Sequence, residues 1–215
     1  MWSELSVPWQ AAFEEAWAAY RSGCVPIGAV VTDTDGKILS RGHNYINILD
    51  AIPGVVTNTQ LAHAELNALI ALPPSESLDP HPCHLYTTME PCPLCMGALY
   101  MSGVRNLHFC CRDPYAGSVD LLGTTEYMRR KNISVVGPEE NVVLEEISMA
   151  LQVEYLLRTR EAFASSIVML RYKEVLPRAF EFGRILSEEG QLGVFVEENS
   201  TISQVLDWCE EQLAR

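Results

Sequence analysis

The alternation of apolar and polar positions divides the chain into helical and extended segments in a regular order. Residues 8–22 read as an amphipathic first helix, and Pro26 ends it. IGAVVTD and KILSRGHN come next as two strands, and the Asp-Gly step in TDTDGK between them is a strong hairpin signal. Residues 49–60 are a loop punctuated by Pro53-Gly54. A helix is expected from about Ala62 to Leu72, with Thr57, Asn58 or Thr59 as its cap and Pro73-Pro74 as its stop. HLYTTM is a third strand, CPLCMGALYMSG a helix closed by Gly103, and RNLHFCCR a fourth strand. VDLLGTTEYMRRK has room for a helix of about three turns, and ISVVG is a fifth strand. A helical crossover between strands four and five makes them parallel. The expected fold is therefore a three-layer α-β-α architecture around a five-stranded mixed sheet.

Residues 143–172 form one long helix or two, Pro177 interrupts the stretch after them, and Gly190 and Gly193 mark a break. Thr201 and Gln204 fit a capping box for a last helix ending in WCEEQLAR. These features divide the chain into a sheet domain, 1–158, and a helical C-terminal extension, 159–215. The extension either packs on the core or forms a subunit interface.

Composition narrows the class. Hydrophobic residues make up 48% and charged residues 20% of 215, as in a globular protein. No apolar run reaches membrane-spanning length and the N-terminus lacks the basic start of a secretory signal, so a cytoplasmic protein without membrane partners is expected. The net charge is −13, with acids outnumbering bases in both halves. No basic stripe of the kind that grips phosphates is visible. The cluster Arg129-Arg130-Lys131 fits the basic last turn of a helix equally well. A nucleic-acid partner is thus not expected, and a small-molecule substrate is. Seven cysteines without a signal segment point to a reducing compartment rather than a disulfide framework.

Chemistry concentrates at two predicted helix starts. His63 opens HAELNAL; Cys92 and Cys95 open EPCPLCMGAL. Two cysteines at i and i+3 share one helix face, and the positive end of the helix dipole favours their thiolates. One imidazole and two thiolates suit Zn²⁺ and leave a fourth position for water, as in catalytic rather than structural sites. Glu65, two residues after His63, is placed to serve that water as a proton carrier without ligating the metal. His-x-Glu followed by Pro-Cys-x-x-Cys is the signature of zinc deaminases. A zinc-binding scaffold without activity would instead need a fourth protein ligand from Cys83, His84, Cys110 or Cys111.

On VPIGAVVTDTDGKILSRGHN, LAHAELNAL and LYTTMEPCPLCMGALYMSGVRNLHFCCRDPYAG, the chain resembles the cytidine deaminase superfamily, most of all its guanine deaminase and tRNA adenosine deaminase branch. The resemblance covers roughly residues 8–155. It implies one zinc per site, frequent homodimers, and removal of ammonia from an amino-substituted nucleobase, nucleoside or related heterocycle, with guanine-type substrates favoured and tRNA adenosine as the alternative. It implies that Asn44 hydrogen-bonds the base or ribose, that the Ala64 backbone lies near the substrate, and that Ile27 and Gly28 line the pocket floor. Glu90 is expected to be more structural than catalytic. Asp113 either accepts a hydrogen bond from the substrate or caps the turn before Pro114. The long 47–60 loop, the deoxycytidylate-deaminase-like Asn67 and the missing basic C-terminal helix depart from the tRNA enzymes.

Overall fold

The computed structural model describes residues 1–74, 76–138 and 141–214. Helix α1 (Val7–Arg21) buries Trp9, Phe13, Trp17 and Tyr20, and leads into the antiparallel hairpin β1 (Gly28–Thr32) and β2 (Ile38–His43). Then come α2 (Ala64–Ile70), β3 (His84–Met89), α3 (Pro93–Ser102) and β4 (Asn106–Cys111). A 3-10 turn at Val119–Leu121, the single-turn α4 (Glu126–Arg129) and β5 (Ser134–Val136) complete the sheet region. The strand order is β2-β1-β3-β4-β5. β1 runs antiparallel to β2 and β3, whereas β3, β4 and β5 are parallel.

All five residues of β1 are buried, as a central strand covered on both faces requires. Ala29 and Val31 face one way, packing with Ala64, Ala68, Met96 and Leu99 of α2 and α3. Val30 faces the other way, toward α1 and the C-terminal helices. Two glycines permit the close helix approaches. A Cβ on Gly28 would stand 2.1 Å from the Ala12 carbonyl oxygen of α1, and one on Gly42 would stand 2.4 Å from the Ala68 nitrogen of α2.

The C-terminal helices are α5 (Val142–Thr159), α6 (Ile167–Val175), α7 (Pro177–Glu189), α8 (Gln191–Glu197) and α9 (Ile202–Leu213). Thirteen consecutive residues of α5, Leu144–Leu156, are buried. Three of these are glutamates, each meeting an arginine: Glu145 with Arg112 at 2.6 Å, Glu146 with Arg178 at 3.1 Å and Glu154 with Arg158 at 2.7 Å. Such pairing is what lets acids sit in a covered helix. One apolar cluster runs without a break from Trp9 and Phe13 of α1 through Ile147 and Val153 of α5 to Leu186, Leu206 and Leu213. The extension therefore packs on the α1–α5 face, and the Trp17 indole donates to the Ser200 carbonyl at 2.9 Å.

Several local expectations are corrected. The three-turn helix over VDLLGTTEYMRRK does not form: Gly123, at φ +86°, breaks it into the 3-10 turn and α4. The cap of α2 is His63 rather than a residue of 57–59, so the helix begins at Ala64. Pro177 starts α7 at its first turn, where a missing N–H is harmless. Gly190 does end α7 at φ +67°, but Gly193 lies inside α8. The capping box at Thr201 and Gln204 is present. Among the described residues no helix is long and apolar enough to cross a membrane.

Candidate metal centre and substrate cavity

The site lies beyond the carboxyl ends of the parallel strands β3 and β4, where α/β sheets place their ligands. Met89 ends β3; Glu90 and Pro91 carry the chain to Cys92, which caps α3 in an extended conformation (ψ 174°). Pro93 imposes that conformation on Cys92 and itself suits the first helical turn. Cys95 falls one turn along, fully buried. His63 caps α2, also extended, so its ring leaves the helix start toward the same point.

His63 Nδ1 stands 3.5 Å from Cys92 Sγ and 3.4 Å from Cys95 Sγ, and the two sulfurs are 3.7 Å apart. A tetrahedral zinc with Zn–S of about 2.3 Å and Zn–N of about 2.0–2.1 Å sets its sulfurs about 3.8 Å apart and each sulfur about 3.6 Å from the nitrogen. The donors fit. They also compete for protons. A hydrogen bond from Cys95 and the nearby His63 lower the Cys92 thiol to about 4, although its burial opposes this. The Cys92 thiolate and burial push Cys95 upward. The thiolate likewise raises His63. A divalent cation held between them would relieve that competition, with both sulfurs bound as thiolates. Among the described residues only these three form such a donor cluster, so no fourth side chain closes the shell.

Glu65 sits in the first turn of α2, 4% exposed and outside the ligand trio. Burial raises its pKa, so its carboxyl holds a proton more readily than an exposed one. Asn44 is buried just past the end of β2, and its Oδ1 accepts from the Ile46 N–H at 3.2 Å. Ile27, Asn44, Ala64, Glu65 and Asp113 all line one cavity with His63 and Cys92. Gly28 does not: its missing side chain faces α1, and its N–H donates to Thr88 Oγ1. The Asp113 carboxylate accepts from the Tyr115 and Ala116 N–H groups at 2.9 and 3.0 Å, so it caps its turn while bordering the cavity. Glu90 accepts from the Asp113 and Val119 N–H groups and so ties the β4–α4 connection to the metal loop. Asn67 pairs its amide with both backbone groups of Val56 and pins the long 49–60 loop.

Sequence reasoning missed one whole wall of the cavity. Gln152 and Leu156 of α5, Arg160 and Phe163 of the following turn, and Val168 and Tyr172 of α6 line it. All six lie in segments that read as generic amphipathic helix. No sequence signal marks them: Gln152 is one polar residue on a helix that also carries Glu145, Glu146, Ser148 and Glu154. The cavity encloses about 230 Å³.

A mixed sheet between helical layers, with one imidazole and two thiols converging from two helix starts beside a buried carboxylate, is the arrangement of a zinc-dependent hydrolytic deaminase. The chain matches the cytidine and deoxycytidylate deaminase zinc-binding region over residues 4–111, and it belongs to that family. It is 28% identical to a cytosine deaminase of Candida albicans over 130 residues, covering 59% of this chain and 75% of that protein. It is 37% identical to a guanine deaminase of Bacillus subtilis over 78 residues, 35% of this chain and 43% of that protein. A structure from studies of A-to-I editing by tRNA:A34 deaminases is similar with a TM-score of 0.50 and 28% identity, covering 60% of this chain and 89% of that one.

Proposed function

We propose that the protein removes the exocyclic amino group of a free heterocyclic base, an aminopurine of the guanine type. The observation that carries this reading is the cavity. Its volume of about 230 Å³ lies below the roughly 300–1,000 Å³ of pockets for drug-sized ligands, and the chain's own α5 and α6 wall it. The net charge of −13 supports the same reading, since it does not favour a phosphate backbone.

In this scheme His63, Cys92 and Cys95 would hold a zinc ion, which when bound would supply a Lewis acid for the attacking water. Glu65 would accept the water's proton and return protons to the ring nitrogen and to the departing ammonia. Its burial suits both tasks, because a raised pKa makes it a competent donor as well as an acceptor. Asn44 Nδ2 and the Ala64 backbone orient the base. A homodimer in the cytoplasm completes the reading, and light scattering tests the dimer.

Ammonia release by zinc-loaded protein is the direct test, over free aminopurines and aminopyrimidines, their nucleosides and nucleotides, with Glu65→Ala as blank. Release from a free base supports the reading. Silence toward every base together with inosine formation in tRNA at low salt would replace it with the RNA-editing reading, which similarity to tRNA:A34 deaminases favours.

A further inference from the structure

Gln152 is 8% exposed, lines the substrate cavity, and carries a buried Oε1 without a hydrogen-bond partner. A buried acceptor left unpaired destabilises a fold, and native proteins seldom keep one without a use. The Tyr172 hydroxyl of α6 lies within interacting reach of both the Gln152 amide and the Asp113 carboxylate. Burial pushes the Tyr172 hydroxyl far upward, so it stays protonated. Leu156 and Val168 bring apolar surface to the same wall. Gln152 is thus held by α5, bordered by a neutral phenol, and presents an acceptor to a cavity of about 230 Å³.

We propose that Gln152 is a specificity-determining residue, whose Oε1 accepts a hydrogen bond from a ring N–H of the free base. That N–H exists at the nitrogen that bears the sugar in a nucleoside, and glycosylation or alkylation there removes it. The acceptor would then meet carbon, and its desolvation would go uncompensated. The cavity wall supplied by the chain's own C-terminal helices becomes the element that separates bases from nucleosides. This rests on the protein being a base deaminase.

The test compares zinc-loaded wild type, Gln152→Leu and Gln152→Met. Each is assayed for ammonia release and for calorimetric binding. The substrates are the free bases, the same bases methylated at the sugar-bearing nitrogen, and their nucleosides. Wild type should prefer the free base. Both variants should lose at least about 10-fold in kcat/KM on the free base, with most of the change in KM, and should treat the methylated base as wild type does. Their melting temperature should hold or rise, because the orphaned acceptor is gone. A purely structural glutamine predicts the reverse: lower melting temperature and an equal loss on all substrates. Variants that keep the wild-type preference, or that show this structural pattern, overturn the role of Gln152 while the deaminase reading stands. A wild type that neither deaminates nor binds any free base overturns both.

Discussion

The metal half of the cavity and its helical wall are built on different principles. On the metal side, residues that act together lie close in sequence, at helix starts whose backbone geometry aims them. His63 and Glu65 are two apart, Cys92 and Cys95 three apart, and Pro93 and Gly103 bound the helix that carries the thiols. On the wall, Gln152, Phe163 and Tyr172 come from two helices and the turn between them, and no short motif joins them. Chemistry that must be exact at one atom is encoded locally. Shape that must only fit around a ligand is encoded through packing, and it is free to differ between relatives that share the zinc motif.

The largest effect should come from the metal side. Glu65→Ala should lower kcat by about 10²–10⁴, the range of general acid–base catalysis, while the zinc content measured by atomic absorption stays at the wild-type level. Loss of the metal in that variant would make Glu65 a ligand and break the contrast. Cys95→Ala should lose zinc and unfold more readily, since metal binding is coupled to folding.

On the wall side, Leu186 is 1% exposed in the core that joins α7 to α5. Leu186→Ala should destabilise the protein by about 2–5 kcal/mol, in one calorimetric transition. Two separated transitions would show that residues 159–215 unfold as their own domain and that the continuous core does not couple them.

A smaller effect belongs to the sheet. His108 stacks on Tyr86, approaches His84 Nδ1 at 2.9 Å through its Nε2, and is depressed to about 4 by burial and by His84. The folded state keeps it neutral, whereas the unfolded chain protonates it below about 6.5. Its contribution is therefore fully present above about pH 6.5 and is lost as the pH falls from there toward 4. Over that window it adds a slope of up to about 1.4 kcal/mol per pH unit. His108→Gln should flatten the acid limb of stability measured by urea denaturation; an unchanged limb would assign the acid sensitivity to other groups.

The smallest effect is the cap of α9. Thr201→Ala removes the acceptor for the Gln204 N–H and should cost about 0.5–2 kcal/mol, with no change in zinc content or in KM. A change in KM would mean that the last helix reaches the cavity wall.

The order of strands and helices, the hairpin at Asp35-Gly36, the parallel pairing of the last strands and the convergence on a zinc-type site are all legible in the chain, because each depends on neighbouring residues: periodicity, turn chemistry, caps and a short motif. Sequence and structure part where several local choices are nearly equal. In the 119–131 segment a lone Gly123 is compatible in sequence with a continuous helix, and its left-handed conformation in the folded chain divides the segment into two short turns. The family resemblance implies both Ile27 and Gly28 on the cavity floor, but a strand alternates its faces, and that of Gly28 belongs to α1. Tertiary structure alone decided that α5 is buried on every side, that Glu145 and Glu146 meet the distant Arg112 and Arg178, and that Gln152 and Tyr172 stand beside Asp113. The physical reason is the same in each case: a metal-ligand set must close within a few ångströms and so leaves a short-range imprint, whereas a cavity wall is a sum of weak, non-directional contacts between segments far apart in the chain.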